Sequence, residues 1–226
     1  MRQIFLDTET TGLYPDHGHR IIEIAAVEMI QRRPTKNHFH VYLNPGREID
    51  PAAQEVHGIT LEFLQDKPMF EAVSSDFVAF IKNAEVIIHN APFDVGFLNM
   101  ELGRIGMQPM TELCDKVTDT LKMAKDARPG QRNNLNALCS HFGIDNSRRT
   151  LHGALLDAEL LAEVYMAMTR GQESLMMDLV HQNIATNHVV KTENQAPLKV
   201  LMADDEERKA HDAYLQGLAK SGVLPW

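Results

Sequence analysis

Cysteine is almost missing from this chain, and its scarcity excludes two classes of protein. Cys114 and Cys139 are the only 2 in 226 residues, without the spacing of a zinc site or the number of a disulfide scaffold. A reduced, cytoplasmic setting is the expectation. Long hydrophobic runs are missing too. No stretch reaches the roughly eighteen apolar residues that a membrane helix needs, and no export signal is expected at the start. Positive charge is short: 22 Lys and Arg stand against 31 Asp and Glu, a net charge of −9. A protein that grips nucleic acid unaided is ordinarily basic. An anionic substrate would therefore call for metal ions among the acids and for a partner that delivers it. Repeats and low-complexity tracts are absent. With 44% apolar and 6% aromatic residues, the chain can bury one α/β core with length to spare.

What is present is acid in unusual places. Residues 3–7 read as a buried strand, with Ile4 and Leu6 on one face and Phe5, Asp7 and Glu9 on the other if it continues. Two carboxylates on one face of a strand end repel, which raises a pKa or demands a cation between them. Asp94 opens a helical pattern whose inner stripe carries Leu98, Leu102 and Ile105, and Asp157 opens another with Leu161, Val164 and Met168. A carboxylate on an apolar stripe is unfavourable unless paired, protonated or metal-bound. Singly, each acid has an ordinary reading. Asp7 can end a strand before a Thr-Thr-Gly turn, Asp94 can favour a helix dipole, and Asp157 can pair with Arg148 or Arg149. Three segments carrying the same penalty point instead to one shared metal site. His152 precedes Asp157 by five positions, about 140° around a helix. It therefore belongs to the loop or first turn, with Thr150 a candidate N-cap. From a loop, an imidazole can reach an attacking water as general base without ligating a metal.

Residues 3–7, 20–31 and 36–44 read as strands joined by short links at 13–19 and 32–35, an antiparallel opening. Short helices are expected over 51–58 and 60–65, and a longer one over 74–83. Residues 85–89 form a central strand that feeds the Asp94 helix. A strand over 111–115 follows, then helices near 117–125, 134–142 and 153–169. The fold class is α/β, a mixed sheet flanked by helices.

In this order, Asp7-Thr8-Glu9-Thr10-Thr11-Gly12, His89-Asn90-Ala91-Pro92-Phe93-Asp94 and His152-Gly153-Ala154-Leu155-Leu156-Asp157 resemble the three motifs of the DEDDh exonucleases. The resemblance covers residues 1–170 and implies a ribonuclease-H-like fold. It also implies two Mg²⁺ ions, with Mn²⁺ able to substitute, which suits an all-oxygen ligand set. Asp7 would bridge both ions, Glu9 and Asp157 would hold the one that activates water, Asp94 would help hold the other, and His152 would be the base. Thr11, Gly12, Val56, His57, Asn90 and Phe93 match positions that line the terminal nucleotide's pocket in that family. Ordinary core packing is the alternative for Val56 and Phe93. Arg128, Arg132, Arg148 and Arg149 are candidates to neutralise strand phosphates, or a solvated surface.

Beyond residue 170 the character changes. Gln172, Ser174, Leu175, Met176 and Met177 resemble a short sliding-clamp-binding motif within a segment 171–185, although the same letters could extend the preceding helix. Residues 186–199 are polar and aperiodic, a flexible linker. Residues 200–226 regain apolar positions, with a helical stretch near 204–219 bearing Tyr214, Leu215 and Leu218, too short to bury them alone. This layout resembles that of a proofreading nuclease in a bacterial replicase. It implies excision of mispaired nucleotides from a DNA 3′ terminus as 5′-monophosphates. It also implies a polymerase subunit bound through 200–226, a clamp bound through the hexapeptide, and room for a further small subunit. A free-standing relative that trims RNA or short oligonucleotides shares the catalytic motifs without needing the tail. A purely tethering protein would leave the acid set without a use.

Overall fold

Five strands, β1 Arg2–Thr10, β2 Ile21–Ile30, β3 Arg33–Tyr42, β4 Glu85–Ile88 and β5 Lys116–Asp119, form one mixed sheet ordered β3-β2-β1-β4-β5. This computed structural model describes residues 1–149, 151–170 and 204–220, in two units, Met1–Met177 and Asp178–Trp226. The first three strands run antiparallel, while β4 and β5 run parallel to β1. The helices of the first unit are α1 Pro51–His57, α2 Leu61–Leu64, α3 Phe70–Ile81, α4 Ala91–Arg104, α5 Met110–Leu113, α6 Thr120–Ala127, α7 Leu135–Phe142 and α8 Ala154–Met168.

The alternation along β1 decides what lies on each side of the sheet. Ile4 and Leu6 pack with Phe70, Phe77 and Ile81 of α3 and Phe97, Leu98 and Leu102 of α4. Phe5 points the other way, onto Leu138 and Cys139 of α7 and Leu160, Leu161 and Val164 of α8. Burying each such aliphatic or phenyl side chain contributes roughly 1.5–3 kcal/mol, so one strand anchors two helical layers. Because β1 pairs in parallel with β4, Leu6 beside Ile88, both strands end at the same edge of the sheet. Ligand crevices in open α/β sheets form beyond such carboxyl ends.

Several elements differ from their sequence expectations. Residues 111–115 hold no strand. Met110, fully buried, is drawn into the core on the short α5, and the strand is the next four residues, β5. The helix expected from residue 117 starts at Thr120, because Asp119 Oδ1 accepts from the Leu121 and Lys122 amides and caps it there. The connection expected over 32–35 is a tighter hairpin in which Gln31 and Arg32 take φ of 50° and 62°. That left-handed pair matches the strand twist without the usual Asn-Gly signal. The helix expected over 74–83 begins earlier, at the buried Phe70.

In the second unit, α9, Asp205–Lys220, occupies the stretch expected to be helical. Asp204 Oδ1 accepts from the Glu206 and Glu207 amides, and Glu207 Oε2 accepts from the Asp204 amide, a reciprocal cap. Tyr214 is exposed. The clamp-like residues 172–177, the linker 186–199, the tail ends 200–203 and 221–226 and the expected cap Thr150 lie outside the described residues.

Candidate active site

The acid cluster straddles the carboxyl end of β1. Asp7 and Glu9 share the face of Phe5, toward α8, whereas Thr8 shares that of Leu6, toward α4. Asp94, in the first turn of α4, accepts from Thr8 Oγ1 at 2.7 Å. Asp157, in the first turn of α8, arrives from the opposite layer. A register shift between Glu9 and Thr10, a bulge at the strand end, breaks the ladder with β2 where the site begins. All four carboxylates and His152 line one cleft of about 850 Å³. Among the described residues, ligand atoms of Glu9, His152 and Asp157 lie within 4.8 Å of one another.

Local geometry explains how each acid is aimed. Asn90 begins α4 in the left-handed region at φ 68°, and its amide donates to Asp119 Oδ1 at 3.1 Å. The kink turns the chain from β4 into a helix so sharply that Asp94 faces the β1 end. On the other layer the N-cap of α8 is Gly153, which has no side chain to offer. Glu23 Oε2 of β2 takes that role, accepting from the Ala154 amide at 3.2 Å, while its Oε1 meets His40 Nε2 at 2.7 Å. Glu23 stands opposite Glu9 in the ladder, so one buried acid positions the helix that carries another.

The electrostatics call for a cation. Burial raises the Asp7 carboxyl well above its usual range, and repulsion from Asp94, Glu9 and Asp157 adds to it, with Arg149 opposing. Glu9 is pushed up to about 8 by burial, then by Glu23, Asp157 and Asp94. Burial pushes Asp94 up to about 7 against the Thr8 hydrogen bond. Protons are held where carboxylates should be charged, and a hard divalent cation relieves burial and repulsion together. The residues therefore fit a divalent metal centre. Arg149 lies against Asp157, with Nε 2.5 Å from Oδ1 and a second nitrogen 2.6 Å from Oδ2. That second nitrogen is also 3.0 Å from His152 Nδ1. His152 is held by its amide, which donates to Val56 O, and burial then Arg149 lower its imidazole pKa.

The expected nucleotide-pocket residues divide. Gly12, Val56, His57, Asn90 and Phe93 line the cleft. Thr11 does not. It is fully buried, its hydroxyl meeting His19 Nδ1 and accepting from the Arg20 amide. What crowds Gly12 is the His19 ring, which a Cβ would meet at 2.3 Å. His57 Nδ1 accepts from the Ile59 amide, so Nε2 carries the proton, and this buried N–H faces the Thr10 backbone without closing a full hydrogen bond. Burial also lowers the His57 pKa. Of the four candidate arginines, Arg149 alone lines the cleft. Arg128 instead braces the Asn133 side chain and the Arg132 carbonyl. Thr8, Glu23 and Asp119 were not singled out by sequence. The signal for Glu23 was an acid inside an otherwise apolar strand, Ile-Ile-Glu-Ile-Ala-Ala-Val.

Comparison with known proteins agrees with this geometry. A family model described as an exonuclease matches residues 4–165. The DNA polymerase III subunit epsilon of Pasteurella multocida is 52% identical over 97% of this chain and 90% of its own. That of Escherichia coli is 50% identical over 98% and 95%. Among solved structures, exonuclease X in complex with 5′ overhanging duplex DNA superposes with a TM-score of 0.58 at 25% identity, covering 74% of this chain and 91% of that one. The nuclease domain of 3′hExo, a DEDDh family member bound to rAMP, gives 0.65 at 18%, covering 75% and 92%, and shares the fold. The chain belongs to the exonuclease family, and over nearly its whole length it matches the DNA polymerase III epsilon subunits.

Proposed function

We propose that the protein is a 3′→5′ exonuclease that removes mispaired nucleotides from a DNA 3′ terminus as 5′-monophosphates, acting as the proofreading subunit of a replicative polymerase. The observation that carries this is the meeting of Asp7, Glu9, Asp94 and Asp157 with His152 at one strand end, in a chain half identical to epsilon subunits. The four acids would hold two Mg²⁺ ions, or Mn²⁺. Held there, they would supply positive charge for the attacking and leaving oxygens of an in-line displacement. His152 takes the proton of the water that attacks the terminal phosphorus, and the bond to the leaving 3′ oxygen breaks. A lowered imidazole pKa leaves this base neutral near pH 7. The His57 N–H, which closes no full hydrogen bond, and the half-exposed Val56 would receive the terminal nucleotide. Selectivity needs no base readout, because a frayed mismatched end enters the cleft more readily than a paired one.

Digestion of a 3′-labelled single-stranded DNA by the pure protein with Mg²⁺ tests the activity. A ladder shortening from the 3′ end is expected, absent with EDTA and with Asp157→Ala. Intact DNA beside a trimmed RNA oligonucleotide would instead identify a free-standing RNA-processing enzyme.

The tail, residues 200–226, would dock on the polymerase catalytic subunit, with a further small subunit as an additional partner. Gln172, Ser174, Leu175, Met176 and Met177 would dock on the sliding clamp, placing the protein in the cytoplasm at the replisome. α9 supports this in part, being a capped helix with Tyr214 exposed. Replacing Gln172 and Leu175 by alanine should weaken clamp binding in a surface-plasmon assay by about tenfold or more, the cost of removing an anchor. Hydrolysis of free single strands should be unchanged. Undiminished clamp binding would remove the hexapeptide from the reading.

A further inference from the structure

Arg149 is the one Arg or Lys among the described residues that line the cleft, and its side chain is 6% exposed. It takes both oxygens of Asp157 and reaches Nδ1 of His152 with the same guanidinium. A guanidinium only donates, so His152 Nδ1 must accept, which fixes the proton of the neutral ring on Nε2. One side chain thus engages a proposed metal ligand and the proposed base together.

We infer that Arg149 is the resident counter-cation of the carboxylate cluster, exchanged for divalent metal when the site loads. This rests on the metal-dependent reading above. The same Asp157 oxygens cannot keep a bidentate guanidinium and also offer their inner lone pairs to a metal. A second positive charge at that spot would also repel the incoming ion. The contact is built to open. Arg149 belongs to the segment between α7 and α8, whose neighbour Arg148 is exposed, and its own backbone is tied locally, amide to Asn146 O at 3.0 Å. The far end of the segment is held independently, by the His152 amide on Val56 O. A long flexible side chain between those ties can swing aside while His152 and Asp157 stay in place. Arg149 is a positioning residue in this account. Before loading it keeps Asp157 aimed through its two hydrogen bonds and sets a positive charge beside the acid cluster.

Calorimetric titration of the full-length, metal-free protein with Mn²⁺, without DNA, separates exchange from bracing. Arg149→Met keeps most of the side-chain volume without the charge and should bind Mn²⁺ about tenfold tighter than wild type, as competing occupants of one site require. Arg149→Lys, a monodentate cation, should fall between them. Equal or weaker Mn²⁺ binding by Arg149→Met would overturn the inference, since a brace for the ligands or an ordinary structural contact predicts that result. No Mn²⁺ binding by wild type or variant would overturn the metal-dependent reading as well, so the two failures are distinguishable. The wild-type protein gives a second readout that needs no methionine variant. The Arg149 Nε–H resonance, assigned by its loss in Arg149→Lys, should be protected from solvent exchange in EDTA and lose that protection on saturation with Mg²⁺. Protection that persists through saturation would also overturn the exchange.

Discussion

An Asp7→Asn variant should shorten no DNA at any magnesium concentration and yet melt at a higher temperature than wild type in EDTA. Asparagine keeps the shape of the side chain and removes the charge at the centre of the repulsion among Asp94, Glu9 and Asp157. The loss of activity should exceed the roughly 10²–10⁴-fold expected of the proposed general base His152, because the proposed ligand set itself would be broken. His152→Gln should fall within that range and lose the acid limb of the pH–rate curve, which lies below the ordinary imidazole pKa because burial depresses it. The opposite signs of the Asp7→Asn effects carry the diagnosis. A residue kept for stability would lose Tm along with activity. Turnover above about a tenth of wild type would remove Asp7 from the metal centre.

Without metal, stability should fall between about pH 6.5 and 8, and saturating Mn²⁺ should flatten or reverse that slope. Glu9, raised to about 8, and Asp94, raised to about 7, keep protons in the folded chain that the unfolded chain releases near pH 4. The folded form therefore binds more protons across that window, and unfolding becomes easier as pH rises. Other groups oppose the fall only at the start of the window. His57, His89 and His152 have lowered pKa values, so the stability they confer grows with pH and is complete about one unit above the ordinary 6.5, which makes the fall steepest toward pH 8. Glu28 and Glu85 are lowered too, and their contribution is complete above the usual carboxylate range. The expected loss is on the order of 2 kcal/mol, roughly 5 °C in Tm for a chain of this size. Calorimetric scans in EDTA and in Mn²⁺ across the window measure it. An EDTA curve that stays flat or rises would mean that the cluster is neutralised within the protein.

The sequence made the acids legible because each stands where apolar periodicity leaves no room for charge. Alternation along β1 assigned Ile4 and Leu6 to one layer and Phe5, Asp7 and Glu9 to the other, as the structure has them. The antiparallel opening and the passage from β4 into the Asp94 helix were equally readable. Short elements were not. β5 is four residues long, and its Lys116 and Thr118 are fixed by hydrogen bonds to Glu85, a partner far away in sequence. Met110 joins the core from a single helical turn that no period can announce. The supports of the site share this difficulty. Glu23 capping α8, Thr8 holding Asp94 and Asp119 holding Asn90 are contacts between distant segments. Arg149 was visible both as a partner for Asp157 and as a phosphate ligand. The structure places it on Asp157 and His152.

The pairing of β1 with β4 and the docking of α8 against β1 and β2 also bear on the newborn chain. Asp7 leaves the ribosome early, but its partner on α8 is made about 150 residues later, roughly 8–30 s at ordinary rates of synthesis. Until then no cluster exists, and a truncated or stalled product carries acids without a nuclease. A cell that makes a DNA-degrading subunit is thereby spared its unfinished copies.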